Sequence, residues 1–260
     1  ALLCDAGYES FEPDERGLTA YIKEPEFDSL SLRNLIESFP LEGFRIECHA
    51  STVEGQDWNS EWEKNYFKPI VVGDRCVIHS SFHTDYPQCE HEIVIDPKMA
   101  FGTGHHATTS LIIERLLSMP LGGKSVVDMG TGTGILAILA AMLGASPVTA
   151  IEIDPAAEAN ARENVASNGH PEIQVMLGDA ALLDGLHADL FIANINRNII
   201  TADLPSYAAT LAVGGVMLLS GFYESDIPVV MQAAAPLGLT ELTHTVKGDG
   251  WTCLVLTKNH

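Results

Sequence analysis

Apolar residues recur in two rhythms along the chain, and the change between them divides it. In the N-terminal part the runs are short. Ala1 to Gly7 reads like the end of a helix, and β-like runs around Tyr8–Phe11 and Leu18–Ile22 flank a Pro13–Gly17 turn. Leu32, Leu35, Ile36 and Phe39 then fall at helical spacing within Ser29–Phe39, and Pro40 stops the pattern. Phe44–His49 alternates like a strand. The order α-β-β-α-β is the tail of a ferredoxin-like β-α-β-β-α-β unit. Its first strand is missing and there is no initiator Met, so this small α+β domain reads as N-terminally shortened. Asp57–Lys68 follows, with Trp58, Trp62 and Tyr66 near i, i+4, i+8 and Phe67 beside them. It reads as a connecting helix whose aromatic stripe either docks on a domain or is plain core packing.

From Arg75 onward the rhythm changes. Strand-like runs at Arg75–His79 and Glu92–Ile95 precede a glycine-containing loop and a helix over Ser110–Leu117. Strands and helices then alternate: Ser125–Asp128, Ile135–Leu143, Val148–Ile153, Ala156–Ser167, Ile173–Leu177, Asp189–Ala193, Ile199–Ala209, Val216–Leu219 and Ile227–Ala235. Leu239–Val246 and Thr252–Thr257 finish as an antiparallel pair. Such alternation implies a mostly parallel sheet with helices on both faces. The expected organisation is a small domain over residues 1–53, a linker helix over 54–68 and an α/β domain over 69–260. No internal repeat or low-complexity segment interrupts it.

Composition narrows the classes. Hydrophobic residues make up 46% of the 260, enough for a well-packed core. The longest apolar-rich stretch, Ile135–Leu143, is too short to cross a bilayer, so no membrane span is expected. No basic segment followed by an apolar run suggests a secretion signal. The five cysteines, Cys4, Cys48, Cys76, Cys89 and Cys253, form no C-x-x-C pair and their number is odd. That argues against a disulfide framework or structural zinc and fits a reduced, cytoplasmic compartment. The formal charge of −21 disfavours bare nucleic acid and would draw in a basic protein, or it serves solubility alone.

The candidate chemistry starts at Val126-Val127-Asp128-Met129-Gly130-Thr131-Gly132-Thr133-Gly134-Ile135. Here a strand enters a glycine turn and leaves it as a helix. A dinucleotide site wants G-x-G-x-x-G; the third glycine position is Ile135, so the pattern favours S-adenosylmethionine over a pyrophosphate. Glu152 lies about twenty residues beyond the first glycine, where an acid accepts ribose hydroxyls, and Asp154, before Pro155, suits a helix cap. Asp179, after Gly178, either accepts from an adenine amino group or is an ordinary turn residue. Asn194 ends a strand at the edge where open α/β sheets bind ligands. Its amide oxygen and the Ile195 carbonyl could accept an amine's protons and aim its lone pair at a methyl group, or Asn194 caps the next helix. The loop Asp96–Thr109 holds two glycines, His105, His106 and three threonines. No third ligand is spaced to complete a metal site, and a lid is the better reading, with Thr109 near the donor's carboxylate at a helix N-terminus.

Taken together, D-P-K-M-A-F-G-T-G-H-H-A-T-T, V-V-D-M-G-T-G-T-G-I-L-A-I, A-I-E-I-D-P, I-A-N-I-N and the linker D-W-N-S-E-W-E-K-N-Y-F-K-P resemble one family. It is that of the ribosomal protein L-eleven methyltransferases, the PrmA family. The resemblance implies a Rossmann-like class I methyltransferase sheet with an antiparallel C-terminal hairpin, behind a substrate-recognition domain. It implies S-adenosylmethionine as donor, S-adenosylhomocysteine as product, and lysine side-chain and N-terminal amines of that ribosomal protein as acceptors. The family's donor positions fall on Thr109, Gly130, Glu152 and Asn194. The full candidate donor site is Phe101, Thr103, Thr109, Asp128, Gly130, Thr131, Gly132, Glu152, Ile153, Asp179 and Asn194, with Asn194 and Ile195 as the catalytic pair. Thr131 stands where the family commonly has Cys, and Glu152 where it often has Asp. Both changes keep a small turn residue and a carboxylate. A nicotinamide oxidoreductase and a non-catalytic ribosome-assembly factor are the alternatives. Ile135 speaks against the first, Asn194 and the lid against the second.

Overall fold

Valine, isoleucine, leucine and alanine follow one another in the central strands with scarcely a polar interruption, which is the pattern of a sheet buried on both faces. The computed structural model describes residues 3, 10–14, 17–22, 27–37, 46, 48–51, 68–96 and 107–260. It divides into two compact units, residues 1–58 and 59–260.

In the first unit, β1 (Ser10–Asp14) and β2 (Gly17–Tyr21) form an antiparallel hairpin, with Ser10 opposite Tyr21 and Asp14 opposite Gly17. The turn is shorter than Pro13–Gly17, because Pro13 and Asp14 already pair across it. Helix α1 (Ser29–Glu37) is opened by Asp28, whose carboxylate accepts from the Leu30 amide at 3.0 Å and the Ser31 amide at 3.2 Å. Ile46 and residues 48–51 carry no strand assignment. The rest of the Phe44–His49 run, most of Ala1–Gly7 and the aromatic stretch through Phe67 lie outside the described residues.

The second unit opens with a three-stranded sheet of β3 (Ile70–Val72), β4 (Cys76–His79) and β5 (His91–Val94); β3 and β4 pair antiparallel, β4 and β5 parallel. Helix α2 (Ala107–Leu116) follows, beginning three residues before the expected Ser110. The larger sheet contains β6 (Val126–Met129), β7 (Val148–Glu152), β8 (Gln174–Leu177), β9 (Ala188–Asn194), β10 (Leu211–Tyr223), β11 (Leu239–Lys247) and β12 (Trp251–Lys258). Its order is β11-β12-β10-β9-β6-β7-β8, parallel except for β12 against both β10 and β11. The helices between are α3 (Ile135–Met142), α4 (Pro155–Ser167), α5 (Arg197–Thr210) and α6 (Ile227–Ala234). Strand β12 inserts between β10 and β11, so the last hairpin closes one edge of the sheet.

Alternate residues of the central strands feed two cores. Val126, Leu190, Ile192, Leu218 and Val255 pack on one side with α2 and α3, through Ile112, Ile138 and Leu139. Val127, Met129, Phe191, Ala193, Leu219 and Leu254 pack on the other with α5 and α6, where the Phe191 and Tyr207 rings stack at 4.7 Å. Chain order builds outward from β6 through β7 to β8, then returns to β9 on the other edge of β6. That reversal makes the carboxyl ends of β6 and β9 the place where an open α/β sheet binds its ligand.

Burial pushes the thiols of Cys76 and Cys253 up to about 12. The thiolate is the reactive form, so at pH 8 an aromatic disulfide reagent should modify these two ~100-fold or more slowly than exposed Cys48. Equal rates for all three in native protein would contradict that burial.

Candidate functional site

Strand register assembles the site before any side chain is considered. Met129 of β6 lies opposite Ile151 of β7 on one side and Ala193 of β9 on the other. The next residues along, Gly130, Glu152 and Asn194, therefore emerge side by side at the carboxyl edge.

The turn after β6 is tied down by its neighbour. The Gly130 and Thr131 amides both donate to the Ile151 carbonyl, at 2.9 and 3.1 Å. Gly130, Gly132 and Gly134 have φ of 71°, 57° and 85°, the left-handed region that glycine enters without penalty. Ile135, where a dinucleotide motif would need glycine, is a buried core residue at the start of α3.

Glu152 is almost fully buried, and its carboxylate collects three backbone amides. Oε2 accepts from Gly132 at 2.8 Å, and Oε1 from Ile153 at 2.9 Å and Asp154 at 3.1 Å. Its extra methylene over aspartate lets it curl back onto its own following amides. Asp154 caps α4 by accepting from Ala156 at 2.8 Å and Ala157 at 2.9 Å. Ile153 is 69% exposed, an apolar surface beside the Glu152 carboxylate.

Asp128 of β6 is buried. Thr131 Oγ1 donates to its Oδ2 at 2.5 Å, and its Oδ1 has no hydrogen-bond partner. Burial pushes its carboxyl up to about 7; the Thr131 hydroxyl opposes this and the Glu152 charge adds to it. The edge thus offers a bare glycine turn beside two buried carboxyl groups, and an exposed isoleucine. These fit a donor that carries hydrogen-bond donors, a positive charge and an aromatic base.

On β9, the Asn194 Nδ2 donates to Thr109 Oγ1 at 3.2 Å. Thr109 sits buried in the first turn of α2, at the helix N-terminus where it was expected, because α2 starts three residues early. Asn194 does not cap α5; Asn196 does, its Oδ1 accepting from the Ile199 amide at 3.1 Å. The cap must come one residue before the first helical position, which is Arg197. Ile195 is gripped from two sides. A Cβ on Gly130 would stand 2.4 Å from Ile195 Cγ2, and one on Gly221 would stand 2.3 Å from the Ile195 carbonyl oxygen. Gly221, which sequence reading missed, has φ +93° at a bulge between Ser220 and Phe222 in β10. A glycine inside an apolar strand is the available signal for such a close approach.

A second omission is a ladder of asparagines on α4. Asn168 pairs with both the amide and the carbonyl of Val94, at 2.8 and 2.7 Å, standing in for a neighbouring strand. Asn164 accepts from the Asp96 amide at 3.2 Å and donates to the Thr133 carbonyl at 2.9 Å, and Asn160 donates to the Asp96 carbonyl at 2.8 Å. Their i, i+4, i+8 spacing on one helix face was the legible sign.

Asp179 caps the short 3₁₀ turn Ala180–Leu183, accepting from Ala181 at 2.9 Å, and its carboxylate is exposed. Phe101, Thr103, His105 and His106 lie outside the described residues. Among the described residues, no group of three or more His, Cys, Asp or Glu is arranged to hold a metal ion.

A family model described as "Ribosomal protein L11 methyltransferase (PrmA)" matches residues 5–259. A ribosomal protein L11 methyltransferase of Phocaeicola vulgatus is 52% identical over 255 residues, covering 98% of this chain and 90% of that one. The protein of the same name from Chlorobaculum tepidum is 34% identical, covering 100% and 91%. Among solved structures, a ribosomal protein L11 methylase from Lactobacillus delbrueckii subsp. bulgaricus superposes with TM-score 0.66 at 31% identity, covering 74% of this chain and 99% of that chain. A methyltransferase from Pyrococcus furiosus shares the fold at TM-score 0.53 and 19% identity, covering 65% and 90%.

Two outcomes follow from this geometry. Asp128 holds its proton in the folded state up to about pH 7, whereas an unfolded aspartate releases it near 3.8. The folded state therefore binds the extra proton in that window, and stability falls as pH rises through it, then levels. Asp128→Asn should raise the melting temperature at pH 8, with the gain shrinking toward pH 4 in a thermal-shift series. A gain independent of pH would contradict the charge argument. Gly221→Ala should cost about 1–3 kcal/mol in denaturant unfolding, from the clash and the backbone strain together. Gly122→Ala, where a Cβ meets nothing within 4 Å, should change little.

Proposed function

The chain belongs to the ribosomal protein L11 methyltransferase (PrmA) family and is an S-adenosylmethionine-dependent methyltransferase, and we propose that it methylates lysine side-chain and N-terminal amines of ribosomal protein L11. The observation that carries this reading is the alignment of Gly130, Glu152 and Asn194 at the switch point, with Asn194 oriented by Thr109. Bound there, S-adenosylmethionine supplies a sulfonium methyl carbon to a neutral amine and leaves as S-adenosylhomocysteine once the N–C bond has formed and the C–S bond has broken.

The chain's own residues bind, orient and accept. Asp128, Gly130, Thr131 and Gly132 would hold the methionine end, with Thr109 at the first turn of α2 beside its carboxylate. A carboxylate offers about four acceptor sites. Backbone amides fill three on Glu152, so Oε2 keeps room for one ribose hydroxyl. Ile153 gives the adenine an apolar face and Asp179 an acceptor for its amino group. Phe101 and Thr103, outside the described residues, are the further candidates for donor contact. Because Asn194 spends its Nδ2 on Thr109, its Oδ1 is the atom left to accept a hydrogen bond from the amine. Together with the Ile195 carbonyl it aims the nitrogen lone pair. Positioning of this kind is where a transfer without a strong base gains its rate.

Residues 1–53 would recognise the substrate, 54–68 link, and 69–260 catalyse; the two compact units support this division. The charge of −21 favours encounter with a basic ribosomal protein and disfavours bare nucleic acid. No described helix is long and apolar enough to cross a membrane, and a cytoplasmic site of action fits the substrate.

Incubation with donor and purified L11, read by intact-protein mass spectrometry, should show whole-methyl additions on lysine and N-terminal amines. Asn194→Ala should slow transfer on the order of 100-fold, by clearly more than it weakens donor binding in calorimetry. Transfer by that variant at the wild-type rate would sink the assignment.

A further inference from the structure

The glycine turn assigned to the donor is gripped along its whole length by one neighbouring stretch of chain. The Gly130 and Thr131 amides donate to the Ile151 carbonyl, and the Gly132 amide donates to Glu152. The Thr133 carbonyl accepts from Asn164 Nδ2 at 2.9 Å. A Cβ on Gly134 would stand 3.5 Å from the Ala161 Cβ, so that glycine lies directly on α4. Each residue from Gly130 to Gly134 thus meets β7 or α4. We propose that Asn164 is a positioning residue for donor binding: it fixes the peptide between Thr133 and Gly134, and so sets the shape of the turn against which S-adenosylmethionine lies. The proposal rests on the reading of this turn as the donor site.

The carboxamide works in both directions. While Nδ2 donates to Thr133, Oδ1 accepts from the Asp96 amide at 3.2 Å, in the segment that follows β5. Asn160, one turn earlier on α4, donates to the Asp96 carbonyl at 2.8 Å, and its Oδ1 accepts from Asn164 Nδ2 at 3.3 Å. The Ser81 amide donates to the Asp96 carboxylate at 2.8 Å. Asp96 is therefore held at its amide, its carbonyl and its side chain. A fixed Asp96 amide dictates which way the Asn164 amide faces. With Oδ1 committed there, the nitrogen is turned to the donor turn.

The turn depends on this bond because of its glycines. Gly132 and Gly134 have φ of 57° and 85°, in the region where glycine moves most freely. Thr133 between them is fully buried, so a lost partner for its carbonyl is replaced only by rotating the peptide, which both glycines permit. Rotation there drags Gly132, whose amide is bonded to the Glu152 carboxylate expected on the ribose. Leucine at position 164 offers neither group, and aspartate offers only the acceptor.

The test uses the full chain and reads donor binding directly, by calorimetry with S-adenosylmethionine in the absence of L11. Asn164→Ala should weaken that binding about tenfold, the scale of one buried hydrogen bond left unmade. KM for L11 at saturating donor should stay within about twofold. Asn168→Ala is the comparison. That side chain makes the same kind of bonds from the same helix, to the Val94 amide and carbonyl at 2.8 and 2.7 Å, yet none to the turn. It should lower stability in denaturant unfolding about as much as Asn164→Ala and leave donor affinity within about twofold. Asn164→Asp keeps the size of the side chain and the acceptor for Asp96, but has a proton for Thr133 only when its carboxyl is neutral. Its donor affinity relative to wild type should therefore be low near pH 8 and recover toward about pH 5.5. Asp96, Asp128, Glu152 and Glu158 are present in both proteins, so the ratio isolates position 164. This variant decides the matter if Asn164→Ala does not fold. Wild type that binds donor but leaves L11 unmodified refutes the substrate reading, and the affinity comparison still decides the role of Asn164. Donor affinity that falls equally in Asn164→Ala and Asn168→Ala overturns that role, as does wild-type affinity in Asn164→Asp at every pH.

Discussion

Gly130 and Gly221 leave between them a gap that admits Ile195 and nothing wider, and much of the site depends on that gap. A Cβ on Gly130 would displace the Ile195 side chain; a Cβ on Gly221 would meet the Ile195 main chain at 2.3 Å, so the end of β9 would have to move and carry Asn194 with it. Asn194 would then lose its contact with Thr109, and the amide would no longer face a fixed way. The two glycines come from strands on opposite sides of β9, one in the turn after β6 and one in the bulge of β10. The parallel register sets the height of the three strand ends, and the glycines set how closely they approach. Neither alone would place an acceptor atom to within the fraction of an ångström that transfer chemistry requires.

Irregular backbone around this gap has to find hydrogen bonds without a strand partner. Glu152 supplies them on one side by gathering the amides of Gly132, Ile153 and Asp154. The α4 asparagines supply them on the other, by pairing with Val94 and Asp96 and by capturing the Thr133 carbonyl. Asn164 touches both the donor turn and the segment after β5, so these two pieces of chain are joined through one buried amide. A leucine there would satisfy the apolar core and orphan the Asp96 amide.

Much of this was legible in the sequence because the central sheet is buried on both faces, which turns each strand into an unbroken apolar run. Val126–Met129, Val148–Glu152 and Ala188–Asn194 could hardly be read otherwise, and Asp154-Pro155 announced its own helix start. Strand β10 was read too short, because Gly214 and Gly215 break the apolar pattern where the register with β9 also shifts. Strand β3 was passed over because three residues carry no period. The late start expected for α2 and the missed cap at Asn196 share one cause. Both are matters of a single residue at a helix start, where side-chain hydrogen bonds decide and hydrophobic spacing is silent. Gly221 and the asparagine ladder act across distances of many tens of residues, so pattern along the chain marks them only as oddities.

The carboxylates give the site a definite electrostatic character. Asp128 and Glu152 bracket the same glycine turn, and their mutual repulsion adds to the burial that raises Asp128. A folded protein tolerates such a pair only where something else depends on it, because removing either charge would relieve the strain. A neutral ligand would leave that repulsion in place, whereas a ligand bearing a positive charge beside the turn would offset it. The buried Asp128 beside the turn thus joins the missing third glycine in weighing against an anionic pyrophosphate, and it makes the donor's own charge part of what stabilises the loaded enzyme.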